Sequence, residues 1–545
     1  MNNVLSHWFN DKSPVGFIET PDDLVKKQHK KSFRSFFDSE NFLSQTAITD
    51  APSAILGRRG SGKTAILYHL KHQGPYPITV EMETFSMFDE VASNIDKKIT
   101  EKSTTHGSFV ENYAKIWSIL LHTSVICSTY DHVKKDPRFA DDDAIRAMEA
   151  FLRNSGLLKV RRAHSVLRAI VRASEKCAKT LYNIEDEFDF LSDFIDSYFL
   201  DEIGYSAAKD ALEDILGRAE IRALILMDSL EQFPVNRIDM IHSLGGLLHF
   251  AGKLKRALMP IDLCFAFAAE LHEDLKNASS NDEKDFNAVL TLHWDVEEVL
   301  HICAHRFEVY REIHDGIWQE GFDALPESVS RNDLWAYWHQ FLPSRMKNRL
   351  GIEEDSIAYI SRHTQLLPRH YINILNEILS TAIQSGKKVF PVDAATVVAG
   401  VRAVEDNICE GILSGYEQKY PEAETTCRHL FPHLPNVFNR TFLQRAIRDY
   451  GRGEVPDVDS TINMLIRIGA IGAVEEITEL YVESRFDYTY NGQMPYNTDS
   501  QFSLHPAFAG KFRGESWAPK DREMAKPVYP IETFVGRRPG TGRLL

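Results

Sequence analysis

Short, mainly apolar runs separated by long stretches of helical periodicity organise the first three hundred residues. The runs fall at 53–56, 78–82, 223–227, 263–267 and 289–292. Spacing of this kind predicts strands of a parallel sheet covered on both faces. Between the second and third runs, apolar positions recur every three or four residues. Trp117, Ile119, Leu120, Leu121 and Val125 share one such helix. A helical insertion over about 90–215 follows from that pattern. From about 295 to 400 the periodicity is helical throughout, as in VEEVLHICAHRF and PRHYINILNEILSTAI.

Beyond 436 the pattern changes. Helices are predicted over 441–450 and 460–468, with Gly469 placed to end the second. Residues 480–490 and 501–504 alternate like two strands joined through an Asn-, Gly- and Pro-rich connection. Helices followed by a β-hairpin suggest a winged helix. After 513 the chain is rich in Gly, Pro and Arg, and an extended tail is expected. The organisation expected is an N-terminal segment (1–50), an α/β core (51–295), a helical lid (296–400), a connecting segment (401–436), a winged-helix-like domain (437–512) and the tail (513–545).

At 545 residues the chain has room for several cores. No stretch reaches the roughly 18 apolar residues of a membrane helix, and the N-terminus lacks the layout of a secretory signal. The expected location is cytoplasmic. The six cysteines form no CxxC pair, and reduced, buried thiols are expected. Cys427, His429 and His433 lack a second cysteine pair, so a plain loop is a better reading than zinc. A net charge of −16 argues against a protein that coats DNA by neutralising phosphates.

One segment carries strong chemistry. Gly57-Arg58-Arg59-Gly60-Ser61-Gly62-Lys63-Thr64 fits GxxxxGK[ST], with an apolar strand before it and a helix-forming stretch after it. Glycines let successive backbone N–H groups curl around phosphates, and the following helix aims its positive end at the same anion. Lys63 is expected to reach the β- and γ-phosphates of ATP, and the Thr64 hydroxyl to help hold Mg²⁺. The partner motif is an apolar strand ending in a carboxylate. Residues 221–228, IRALILMD, supply it, with Asp228 as metal-binding residue through water and Glu231 as the group that polarises the attacking water.

GRRGSGKT together with LILMDSLEQF resembles the P-loop ATPases of the AAA+ and STAND classes, particularly bacterial relatives of the origin-recognition ATPases. DSLE is similar to the DGLD of STAND proteins, with Glu231 replacing the second acidic residue. His293-Trp294 followed by VEEVLHICAHRF is similar to the start of the helical lid in this group. Residues 364–369, TQLLPR, look like the lid's sensor segment, which makes Arg369 the candidate sensor arginine and Arg306 a second. The polar sensor expected after the fourth strand is not evident; only Glu270 is offered. The resemblance also places a winged helix after the lid. It implies a fold with a parallel-sheet P-loop NTPase core, helical insertion, lid and C-terminal winged-helix domain.

The presumed recognition helix carries Asp459, Asn463 and Arg467, followed by Glu475, Glu476, Glu479 and Glu483. That face repels phosphates, so a protein-binding wing is the better reading. A basic stripe, Arg161, Arg168, Arg172, Lys176 and Lys179, and the tail's Lys520, Arg522, Lys526, Arg537, Arg538 and Arg543 are cationic elements able to meet nucleic acid or an acidic partner. The expected function is a nucleotide-dependent switch that hydrolyses ATP slowly or on partner stimulation. It is expected to act as a homo-oligomer or with an effector protein, and the resemblance points to antiphage defence. Two alternatives stand: an ATP-dependent DNA-binding initiator or loader, and a nucleotide-binding scaffold with negligible turnover.

Overall fold

The computed structural model describes residues 8–17, 52–82, 106–139, 142–159, 202–228, 238–257, 259–271, 289–314, 321–326, 330–348, 351–384, 390–489, 494–513 and 526–531. The chain divides into two compact units, 40–58 with 63–292, and 1–39 with 59–62 and 293–545. They are called here the parallel-sheet unit and the C-terminal unit.

In the parallel-sheet unit, β1 (Ala54–Gly57), β2 (Ile78–Met82), β3 (Ala223–Met227), β4 (Ile261–Ala268) and β5 (Val289–Thr291) form one sheet in the order β2-β3-β4-β1-β5. Every pairing is parallel. The fold is α/β, as the apolar runs predict. β3, ALILM, is buried along its whole length, which is the behaviour of a strand covered on both faces. Helix α1 (Lys63–Gln73) follows β1. The insertion supplies α2 (His106–Val133), α3 (Asp143–Asn154) and α4 (Glu202–Ala219), and α5 (Ile238–Arg256) joins β3 to β4. Helices α2 and α5 approach closely at Gly246, where a Cβ would lie 2.4 Å from that of Tyr113. The Trp117 indole donates across the same contact to the Ser243 carbonyl at 2.8 Å.

Strand order fixes where a ligand fits. The connection leaving β1 passes β4 and β3 to reach β2, while the one leaving β4 passes β1 to reach β5. Connections that diverge from neighbouring strands leave a crevice at their carboxyl ends. The Gly-rich loop leaves β1 at that crevice.

The C-terminal unit contains α6 (Val296–Ile313), α7 (Arg331–His339), the short pair β6 (Met346–Lys347) and β7 (Glu353–Glu354), α8 (Ser356–Arg362), α9 (Pro368–Gln384), α10 (Ala394–Tyr416) and α11 (Ala423–Leu430). Asp295 caps α6 through a reciprocal capping box with Glu298. Residues 8–17 lie against α6 and α9. Arg306 is buried and donates from Nε to the Val15 carbonyl at 2.8 Å, and from Nη2 to the Phe17 carbonyl. The Asn376 amide accepts from the Val15 N–H at 2.7 Å and donates to the Gly16 carbonyl at 2.9 Å. Arg306, the second sensor candidate, is thus engaged in holding the N-terminal segment. Burial brings its pKa down to about 10.

The rest of this unit is a mainly antiparallel sheet with helices: β8 (Val437–Asn439), α12 (Arg440–Tyr450), α13 (Val458–Arg467), β9 (Ile471–Ile477), β10 (Val482–Arg485), β11 (Gln501–Leu504), α14 (Pro506–Arg513) and β12 (Val528–Pro530). Its order, β12-β10-β9-β11-β8, corrects the expected hairpin. β10 and β11 do not pair with each other; they flank β9, which the sequence pattern did not reveal. The tail also differs from expectation, because β12 adds to the sheet parallel to β10. Tyr529 of β12 is held from below: its hydroxyl donates to Glu354, which also takes the Arg362 guanidinium at 3.2 Å and the Asn348 amide at 2.6 Å.

Cys127, Cys264, Cys303, Cys409 and Cys427 are buried free thiols. Cys427 and His429 lie on α11 and not in a loop, and His433 stacks on Tyr450 at 3.6 Å. Among the described residues no helix is long and apolar enough to cross a membrane.

Candidate nucleotide site

β1 ends at Gly57 and α1 begins at Lys63, so the loop bridges a buried strand and a helix N-terminus. The first amides of any α-helix have no partner within the helix, and here they face the loop they close. Gly60 and Gly62 adopt left-handed φ of 89° and 94°. At Gly62 a Cβ would meet only Trp294, at 4.0 Å, so backbone conformation and not crowding demands glycine. At Gly60 it would also meet Arg369, 3.0 Å from that Cβ.

Lys63 is 6% exposed, and its ammonium donates to the carbonyls of Gly57 at 2.9 Å and Arg58 at 3.2 Å. The lysine folds back over the loop's own backbone. Thr64 is exposed. Amides at a helix start, two left-handed glycines, one ammonium and one hydroxyl are a donor set suited to a polyphosphate with a hard cation.

Asp228 follows the last residue of β3 and is half-buried. It shares the sheet's carboxyl edge with Gly57, one strand intervening. That intervening strand, β4, ends in a turn carrying Glu270, which is buried. Glu270 looked incidental in the sequence; the strand order puts it between the loop-bearing and aspartate-bearing strands. Glu231 lies outside the described residues, as do the Arg161–Lys179 positions of the basic stripe.

Residues 59–62 take their contacts within the C-terminal unit. Arg59 donates from Nη1 to the carbonyl of Ser414 at 3.2 Å, near the end of α10. The Gly60 carbonyl accepts from the Arg369 backbone N–H at 3.4 Å. The Ser61 carbonyl accepts from the buried Trp294 indole at 2.7 Å. Three successive loop residues are therefore tied to α10, to the start of α9 and to the residues just before α6. The sequence pointed to Arg369 through its side chain. Here its backbone and stem meet the loop while the residue stays exposed. Arg59 was expected only as a member of the nucleotide-binding loop and Trp294 only as part of the lid's opening motif; their contacts with Ser414 and Ser61 are disclosed by the proximity of distant segments.

A parallel five-stranded sheet whose first strand passes through GRRGSGKT into a helix places the chain in the P-loop α/β class. No family model matches it. A curated relative, the "Putative transposon gamma-delta 80.3 kDa protein" of Escherichia coli (strain K12), is 19% identical over 533 residues, 94% of this chain and 69% of that protein. Among solved structures, the Aeropyrum pernix ORC2 protein in ADPNP–ADP complexes superposes with a TM-score of 0.36 at 12% identity, covering 90% of this chain and 95% of that one. Cdc6p from Pyrobaculum aerophilum gives 0.29 at 11% identity, covering 92% and 96%. Scores this low add nothing to what the chain's own sheet and loop establish.

Proposed function

We propose that the chain binds ATP with Mg²⁺ at the 57–64 loop and hydrolyses it slowly, acting as a nucleotide-dependent switch. The carrying observation is the loop itself, with two left-handed glycines, a buried strand before it, a helix N-terminus after it and Lys63 folded over its carbonyls. In this reading Lys63 leaves those carbonyls for the phosphates, Thr64 and Asp228 hold the metal, and Glu231 orients water. Magnesium supplies charge neutralisation at the transferred phosphoryl group. Arg369 serves as the group that reports the phosphate, because its backbone already touches Gly60. The antiphage setting finds no support in the fold or the relatives.

Phosphate release measured on the native chain and on Lys63→Ala tests the reading. Loss of one such preorganised cation should cost about 10²–10³-fold in rate. Glu231→Gln should bind ATP and fail to turn it over. A native chain that neither binds nor cleaves triphosphate would end the proposal.

A second reading has its own observation. Helix α12 presents Arg445 and Arg448 to solvent, and Arg452 is exposed just after it. Arg448 pairs with its neighbour Asp449, and Arg440, the first residue of the helix, pairs with Asp459 of α13. We read α12, α13 and the strands behind them as winged-helix-like, with α12 offering the cationic face. If this face holds DNA, affinity should fall steeply with salt, and Arg445→Glu with Arg448→Glu should remove it.

A further inference from the structure

The segment 364–369 is built as a joint. Gln365 is 2% exposed, and its side-chain amide donates to the carbonyls of Ile468 at 3.0 Å and Gly469 at 3.4 Å. Those carbonyls sit in the turn between α13 and β9. The adjoining Thr364 carbonyl accepts from His505 Nε2 at 3.0 Å, just past β11, and from the Tyr488 hydroxyl at 3.5 Å. Three parts of the antiparallel-sheet module thus converge on two consecutive residues.

The fit leaves little slack. Gly469 has φ of 69°, and a Cβ there would lie 2.6 Å from Gln365 Nε2 and 2.9 Å from the Tyr488 ring. Leu366, buried and not a glycine, is held at φ 53°. Such a conformation costs on the order of 1–3 kcal/mol and persists only where surroundings over-determine it. Here the Leu366 N–H donates to Thr364 Oγ1 at 3.2 Å and the Gln365 N–H to His370 Nδ1 at 3.2 Å. Three residues after Leu366, the Arg369 backbone donates to Gly60. One end of a short, strained segment therefore rests on the phosphate loop and the other on the sheet module.

We infer that Gln365 is a positioning residue that couples occupancy of the 57–64 loop to the α13–β9 turn, so that triphosphate and any ligand of the antiparallel-sheet module bind with linked affinities. The inference rests on the nucleotide reading above. Linkage is reciprocal, and coupling in proteins is commonly about 5–150-fold. Gln365→Met keeps the volume and removes the donor. Gly469→Ala keeps the donor and displaces it.

The test uses the full chain with Mg²⁺ and a non-hydrolysable ATP analogue. Calorimetry reads binding, and amide hydrogen exchange reads residues 466–472. The native chain should bind the analogue and slow exchange in the turn by about fivefold or more. Gln365→Met should still bind, within about tenfold of native, and show no analogue-dependent slowing; Gly469→Ala should behave alike. A purely structural role would shift exchange equally with and without analogue, which overturns the inference. Native binding without slowing, or slowing retained in both variants, overturns it too and leaves the nucleotide reading standing. No binding by the native chain removes both.

Discussion

The two five-stranded sheets of this protein are built on opposite plans. In the parallel sheet, β3 is apolar and buried from end to end. In the antiparallel sheet, β9 runs from buried Ile471 and Gly472 to exposed Glu475, Glu476 and Ile477. The first sheet presents a loop at its carboxyl edge, and its strands serve only to hold that edge. The second recruits a strand from residues 528–530 and offers its turns to Gln365 and Thr364. The first sheet rests on continuous burial; the second is tied to its neighbours by polar joints between segments distant in sequence.

Removing a partner from the joint beneath the second sheet should produce the largest loss of stability. Arg362→Ala leaves the Glu354 carboxylate buried without its cation, and should cost about 3–5 kcal/mol in denaturant unfolding. A loss below 1 kcal/mol would mean that Tyr529 and Asn348 suffice.

Acid should distinguish the units next. Burial holds His122 of α2 and His69 of α1 down to about 4, below the ordinary 6.5; Lys209 adds to the effect at His122. Their folded-state pKa values are lowered, so the unfolded chain takes up protons first. Stability is full above about pH 6.5 and falls toward pH 4, each histidine adding about tenfold per pH unit to the unfolding constant. Urea midpoints across that window should show the slope, and His122→Gln should reduce it. An unchanged slope would place the acid sensitivity elsewhere.

Smallest is the packing contrast between the sheets. Ile225→Val in buried β3 should cost about 0.5–1.5 kcal/mol, whereas Glu476→Gln on exposed β9 should stay within about 0.5 kcal/mol. Equal effects in urea unfolding would erase the distinction drawn here.

The same contrast explains what the sequence disclosed. Short apolar strands announce themselves locally, and 78–82 at the sheet's edge and the fully buried 223–227 match the observed strands residue for residue. The glycine-rich loop was legible because its chemistry is contiguous. β9 was hidden because three of its seven residues are acidic or exposed, and its place depends on partners on either side. β12 was hidden because a three-residue strand ending in proline has no pattern of its own. Arg306 and Arg369 look alike as lid arginines. Only the carbonyls of Val15 and Phe17, nearly three hundred residues upstream, separate the buried one from the exposed one. Trp294 and Gln365 fell within the lid segments the resemblance marked, but their contacts were not legible, since their partners, Ser61 and Ile468, lie far off along the chain.

The central claim is that the 57–64 loop is a triphosphate cradle completed by Lys63. Isothermal titration of the full chain with Mg-ATP tests it most directly. One site per chain, lost in Lys63→Ala while the thermal unfolding profile is kept, is the result expected. Undiminished binding by Lys63→Ala, or no heat of binding from a folded native chain, would contradict it.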